Sequence, residues 1–396
     1  MRIRSVDVFR GLTLLAMFYV NSIWGRGVPD WMKHASGDGL TFVDLVAPYF
    51  IFIVGVSVPF ARRKWESLGA SDREYWRAVV VRSAFLGLIG VLLVSHGKVA
   101  KDLRIPWLTE ALVFFVLGVV VPGFQTRATP RWPRLRSYRW ILAGVLAAAL
   151  IAMAATERLR VDWGILQAIA VSYLLACLLS RASRRTQAVV LVIMAAAHTA
   201  YVWCWAPHEP GFQPLVGAGF VDLTTRHGGL PSGLSWSFCA IAGTWAGTHI
   251  LDRRENPAEL CARLAEMGAV LCVLGLMLYP VLAFNSGLAT ITYMVFATGL
   301  GCITLLLTYC LVDLRQRTRA FWFAETVGRN SILAFVLSIF VYRWLGQLPF
   351  FELREFKTTL YSAWGVWGVV TFGLGFSLLI WLLVAGLNRL DLRVAV

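Results

Sequence analysis

The chain has 396 residues, 58% of them hydrophobic and only 15% charged, with a mean hydropathy of +0.67. A soluble globular domain carries about 25% charged and about 45–50% apolar residues, so the composition excludes an ordinary soluble domain and points to an integral membrane protein. The formal charge of +15 is no nucleic-acid footprint, because the basic residues stand in short clusters between apolar blocks, a topological pattern.

Apolar blocks of bilayer-crossing length predict twelve spans, at 6–24, 41–60, 77–95, 107–125, 139–156, 163–180, 187–205, 234–251, 265–284, 290–311, 325–345 and 360–387. Exposed polar backbone is not tolerated in lipid, so each span is read as a helix. The predicted class is an all-α polytopic bundle of about ten to twelve spans, forming a single domain over 1–396. With the N-terminus inside, 23 of the 37 Lys and Arg fall on the cytoplasmic side and 10 outside, which predicts both termini in the cytoplasm. The inner loops leave no room for a nucleotide-binding domain, which argues against an ATP-driven pump. The first apolar block holds Arg10 and Asn21 and lacks a small-residue cleavage site, so it reads as a retained span and not a signal peptide. Seven cysteines without CxxC and six histidines without HxxxH or HExxH predict neither a disulfide framework nor a metal site.

In chain order, the densest polar group comes first. RIRSVDVFRGLTLLAMFYVN puts Arg4, Ser5, Asp7 and Arg10 at the cytoplasmic entry of span one. Asn21 follows Arg10 by eleven residues, about 16 Å along a helix. The outer loop PDWMKHASGDGLT offers His34, Ser36 and Asp38 beside Gly37 and Gly39, and span two opens with Thr41 and Asp44. Arg4 and Arg10 read equally well as inside anchors, with Asp7 neutralising Arg10. An isolated outer-loop histidine is usually solvated. The company of Asn21, two aspartates and a Gly-Asp-Gly turn makes His34 a catalytic candidate.

Further on, Glu110, Gln167, Tyr173 and Asn330 read first as interhelical hydrogen-bonding residues. Arg329 is an inside anchor or a phosphate contact. His198 and His249 lie in apolar surroundings and read as structural, while His208 and His227 are candidate substrate contacts. The Gly- and Pro-rich outer loop 206–233 is long enough to be functional.

The opening stretch, continued by HASGDGLTFVDLVAPYFIFIVGVSV, resembles the heparan-alpha-glucosaminide N-acetyltransferase family of the transmembrane acyltransferase group, most strongly over residues 2–58. That family's pattern is roughly RxxSxDxxRGxT, a later MxxVN, then HAxWNGLTxxDLVFPxFxFIxG. The matching residues here include Ser5, Asp7, Arg10, Gly11, Asn21, His34, Thr41, Asp44 and Pro48. WGILQAIAVSYLL (163–175) resembles its GVLQRI segment, with Ala168 where arginine is usual. VGRNSILAF (327–335) resembles GMNSIL, with Arg329 in place of methionine. The Trp-Asn of HAxWNG is here Gly37-Asp38, and GGLPSG stands where the family has DPEG. Spans within 107–156 are the expected additions to the shared core, and 1–60 carries its motifs.

The resemblance implies a membrane enzyme that moves an acetyl group from cytoplasmic acetyl-CoA to a sugar, glycan or glycolipid acceptor on the far side. Arg4, Ser5, Asp7, Arg10, Gln167, Arg329 and Asn330 are the residues expected at the CoA end. His34 would act as general base or acyl carrier, with Asp38 or Asp44 orienting its ring and Asn21 facing the thioester oxyanion. No metal or prosthetic group is expected, and no nucleic acid. The expected site is the plasma membrane (the inner membrane in a bacterium), with His34 extracytoplasmic, and a homodimer would not be surprising. The competing class is a transporter or flippase without covalent chemistry, although no repeat relates the two halves.

Overall fold

Most of the apolar runs fold into helices, as a bilayer solvent demands. The structure, a computed structural model, describes residues 3–103, 108–113, 116, 133–204, 217–218, 221–222, 227–253, 255–348 and 352–390. Among these, six helices are long and apolar enough to cross a membrane: Phe42–Ser67, Asp72–His96, Arg184–Cys204, Pro257–Leu278, Ile291–Leu314 and Val366–Arg389. A seventh candidate is a broken pair, Thr318–Gly328 and Ser331–Leu345, bent by 72°. The all-α polytopic class therefore holds, with fewer helices meeting the length and hydropathy criteria than the twelve spans expected. Helices also occupy the expected positions 6–24, 139–156, 163–180 and 234–251, but Arg4–Ser22 carries Arg4, Asp7 and Arg10, and Ile165–Leu179 has only 15 residues. Most of the expected span 107–125 and of the loop 206–233, with His208, lies outside the described residues.

The chain divides into two compact units. The first comprises Met1–Ser57, Ala242–Ser286 and Thr292–Val394; the second is built from Val58–Ile241 with Gly287–Ile291. In the first unit, α1 (Arg4–Ser22) lies against α10 (Trp322–Gly328) with the two backbones touching. A Cβ on Gly11 would stand 1.8 Å from the Ala324 carbonyl oxygen, and one on Gly328 would stand 1.9 Å from that of Asp7. Only glycine permits such an approach. The same device joins α2 (Phe42–Ser67) to α7 (Gly233–Asp252): Cβ atoms on Gly243 and Gly247 would fall 2.3 Å from the carbonyl oxygens of Phe52 and Val56. Around these contacts Phe9, Leu14, Phe18, Ile51 and Phe52 are buried completely or nearly so. His249 accepts a 2.8 Å hydrogen bond from Arg253, in keeping with a structural role.

The second unit packs α3 (Asp72–Leu103) on α5 (Ile165–Leu179). The Gln167 side chain lies beside Gly90, where a Cβ would meet it at 2.6 Å, and the Arg82 guanidinium stands 5.0 Å above the Tyr173 ring. Buried Glu110 pairs with His96 at 3.0 Å and accepts from the Thr109 hydroxyl, so it does make the side-chain hydrogen bonds expected of it. A small sheet sets β3 (Val221–Asp222) between β1 (Val161–Asp162) and β2 (Gly217–Ala218), pairing Val161 with Val221 in parallel and Ala218 with Val221 antiparallel. His227, with φ of +50°, offers its carbonyl to the Ser232 hydroxyl and the Trp236 indole.

Because the α1–α10 contact is between backbones, no rotamer change relieves a side chain added there. Gly11→Ala is expected to cost about 1–3 kcal/mol, the scale of overpacking, and to lower the melting temperature of the detergent-solubilised protein by several degrees. Gly386→Ala, in open space on α13 (Val366–Arg389), should leave it unchanged or raise it. Equal melting of both variants would refute the close-contact reading.

Candidate active site

The geometry around His34 begins with a helix cap. Thr41 precedes α2, and the Asp44 carboxylate, on the third helical residue, reaches back to the Thr41 N–H at 2.9 Å. This is the carboxylate half of a capping box; the Asp44 N–H goes to the Thr41 main-chain carbonyl at 3.2 Å, while the Thr41 hydroxyl donates to the Lys33 carbonyl at 2.6 Å. The same carboxylate accepts from the Ala35 N–H at 3.2 Å and from the Thr41 and Ser286 hydroxyls. Its remaining partner is His34 Nδ1, 2.6 Å away. Gly37 and Gly39, with φ of +93° and +123°, let the loop turn back over the carboxylate.

Burial separates the partners: the Asp44 side chain is fully enclosed, whereas that of His34 is 47% exposed. An ionised carboxylate only accepts, so Nδ1 carries the proton and the Nε2 lone pair faces outward. Among the described residues Nε2 has no hydrogen-bond partner. The Tyr293 hydroxyl donates to the Asp44 main-chain carbonyl, which ties the cap to α9 (Ile291–Tyr309).

Asp38 takes a different part. It accepts from the Asn285 side chain at 3.1 Å, and the two residues form an isolated antiparallel bridge. Of the two aspartates considered as orienters of the imidazole, Asp44 is the one in contact. Asn21 is exposed on the last turn of α1, and among the described residues no hydrogen bond joins it to His34.

Past Asn21, the end of α1 is held by a lysine that sequence reading passed over. Lys357, on the amphipathic α12 (Leu353–Trp364), donates to the carbonyls of Ser22 (2.7 Å) and Trp24 and to the Tyr342 hydroxyl (3.1 Å). A cation on the last carbonyls of a helix satisfies both the hydrogen-bond deficit and the dipole there. Burial pulls its pKa down to about 8. The Tyr361 hydroxyl donates to the Ile23 carbonyl at 3.2 Å. This clamp holds Trp24, whose indole stacks on the His34 ring with centroids 5.4 Å apart. Trp24 and Lys357 also line a cavity of 770 Å³.

The residues expected at the CoA end largely gather at the other end of α1. Arg10 donates to Asp7 and to the Gly328 carbonyl, both at 3.4 Å, and to the Ser57 hydroxyl at 2.6 Å. The Ser5 N–H meets the Asp313 carboxylate at 3.2 Å. Arg329 pairs with Glu325 one turn earlier. Asn330 is buried at the break between α10 and α11 (Ser331–Leu345) and donates to Asn388 at 3.3 Å. Arg4 is exposed at the helix start. Gln167 belongs to the second unit. Sequence reading missed Trp24, Ser286, Tyr293 and Lys357. A lysine in a segment between two apolar blocks was the available signal for the last of these.

Residues 2–115 match the profile of the family described as "Heparan-alpha-glucosaminide N-acetyltransferase, catalytic". Over 126 residues the chain is 38% identical to the heparan-alpha-glucosaminide N-acetyltransferase of Mus musculus and 37% identical to that of Homo sapiens. Those residues make up 30% of this chain and 19% of each relative, so the matched stretch spans about a fifth of the relatives' length. The resemblance carried by residues 2–58 is thus shown and reaches to residue 115, taking in Arg10, Asn21, His34 and Asp44.

Proposed function

We propose that this chain is a membrane acetyltransferase that moves an acetyl or other short acyl group from cytoplasmic acyl-CoA to a hydroxyl or amine of an extracytoplasmic sugar or glycan. The observation that carries the reading is the His34–Asp44 pair at 2.6 Å with Nε2 open, inside the stretch that matches the acetyltransferase profile.

In the base mechanism, Nε2 takes the proton of the acceptor as its oxygen or nitrogen attacks the thioester carbonyl. The C–S bond then breaks, and the imidazolium returns the proton to the CoA thiolate. In the carrier mechanism, Nε2 itself attacks, the C–S bond breaks and CoA leaves as the thiolate, giving a cationic acetyl-imidazolium that keeps its Nδ1 proton. The acceptor then attacks the acetyl carbon, neutral imidazole leaves, and the acceptor's proton passes to the CoA thiolate. Both routes pass through a cationic ring, which the buried Asp44 carboxylate stabilises and keeps in one orientation. Asn21, exposed at the outer end of α1, is the proposed donor to the thioester oxyanion.

The donor would enter at the opposite end of α1. Arg10 and Ser22 are twelve residues apart on one helix, about 18 Å, a span for the pantetheine arm. Arg4 and Arg329 are the proposed phosphate contacts, while Arg10, engaged with Asp7, Gly328 and Ser57, braces the helices beside them. The bilayer then separates donor from acceptor, with both chain termini cytoplasmic.

In purified protein, His34→Ala is expected to lower acetyl transfer from labelled acetyl-CoA by about 10²–10⁴-fold, with acetyl-CoA binding retained. Unchanged transfer would sink the assignment, and a wild-type protein that binds no CoA would favour a transporter. Asp44→Asn should lower transfer on a similar scale, because an amide can turn its N–H toward Nδ1 and lose the fixed tautomer. Asp38→Asn, which removes a charge held by Asn285 and not by His34, should stay within a few-fold of wild type. An inverted ranking of the two aspartate variants would show that the orienting role is misassigned.

A further inference from the structure

The cavity beside Trp24 belongs to no step derived so far, and its wall is chemically distinctive. It encloses 770 Å³, a size typical of small-molecule sites, and is lined in part by Trp24, Arg26, Tyr342, Glu352, Arg354 and Lys357. Three cations face one carboxylate. Every N–H of Lys357 is already directed at Ser22, Trp24 or Tyr342, so this residue contributes charge but no free donor. Arg26 and Arg354 differ. Both are exposed, and among the described residues neither has a carboxylate or hydrogen-bond partner for its guanidinium.

The local structure holds these groups toward one space. Arg26 sits between Gly25 and Gly27, with φ of +154° and +89°, in the turn that follows the clamped end of α1. Arg354, Lys357, Thr358 and Tyr361 recur at helical spacing, so they present one face of α12 to the cavity. Trp24 is 46% exposed and is shared between the cavity and the His34 ring. A ligand against this indole is one ring away from the imidazole.

We propose that this cavity is the acceptor subsite and that it takes a sugar bearing a carboxylate or phosphate. The sugar's apolar face packs on Trp24, and its anionic group is held by the guanidinium forks of Arg26 and Arg354. Glu352 accepts from sugar hydroxyls, and the buried Lys357 charge adds to the positive field. The assignment rests on the acetyl-transfer reading for its link to His34, whereas the preference for an anionic sugar can be measured without any reaction.

The test uses the full-length protein in detergent and three probes: glucose, glucuronate and glucose 6-phosphate. Binding is followed by saturation-transfer NMR. At least one anionic sugar is expected to bind about 10- to 100-fold more tightly than glucose, the range for charge-assisted hydrogen bonds. The stronger of the two identifies the anionic group. The double variant Arg26→Gln, Arg354→Gln should erase that preference while keeping the wild-type melting temperature and acetyl-CoA binding. Equal binding of all three sugars, or a preference that survives the double variant, overturns the proposal. If the preference is present and lost in the variant while no acetyl transfer occurs to any acceptor, the cavity stands and the enzymatic reading falls. If transfer occurs but ignores acceptor charge, the cavity assignment alone falls.

Discussion

A single buried carboxylate organises the first unit's candidate site. Asp44 lies in the first turn of α2, where backbone N–H groups lack helical partners. It spends its oxygens on the N–H groups of Thr41 and Ala35, the Thr41 hydroxyl and the His34 ring. Such a group is costly to bury unless fully hydrogen-bonded, so helix start, loop path and imidazole orientation are satisfied together or not at all. Tyr293 fixes the same residue through its main-chain oxygen.

The far end of α1 repeats that logic with the opposite charge. Lys357 brings an ammonium to carbonyls that no helical N–H can reach, just as Asp44 brings a carboxylate to orphan donors. The two caps meet across the Trp24–His34 stack. Cation-capped carbonyls, indole, imidazole and carboxylate therefore form one continuous series of contacts from α12 to α2.

The sequence made some of this legible and hid the rest, for physical reasons. His34 and Asp44 stood out because strong polarity beside an apolar block is expensive and needs a purpose. Their spacing of ten residues did not show which aspartate would reach the ring, since two positive-φ glycines decide the loop's path. Lys357 was hidden because two of its three partners are carbonyls more than 300 residues away in sequence, and a carbonyl leaves no mark on composition. The span at 325–345 looked continuous in hydropathy. In the structure Asn330 breaks it, bonding to Asn388 at a 72° bend. For Arg10 the sequence offered two readings, a phosphate contact or an inside anchor neutralised by Asp7. The Asp7 contact was legible from the spacing of three, whereas the bonds to Gly328 and Ser57 join residues distant in sequence.

The glycine contact between α1 and α10 also has a metrical consequence. Two helices meeting through side chains can slip by a rotamer change, but Gly11 and Gly328 bring peptide groups into direct register. Sliding α1 by one residue would drive a methyl or larger group into a carbonyl. Helix α1 is thereby fixed in position like a ruler clamped at one mark. The length between its arginine end and its Trp24 end is set by the count of residues between them. A reaction that had to bridge those ends would have its reach written into the protein as an integer, so that inserting or deleting one residue in α1 would change the distance and rotate every side chain beyond it by about 100°.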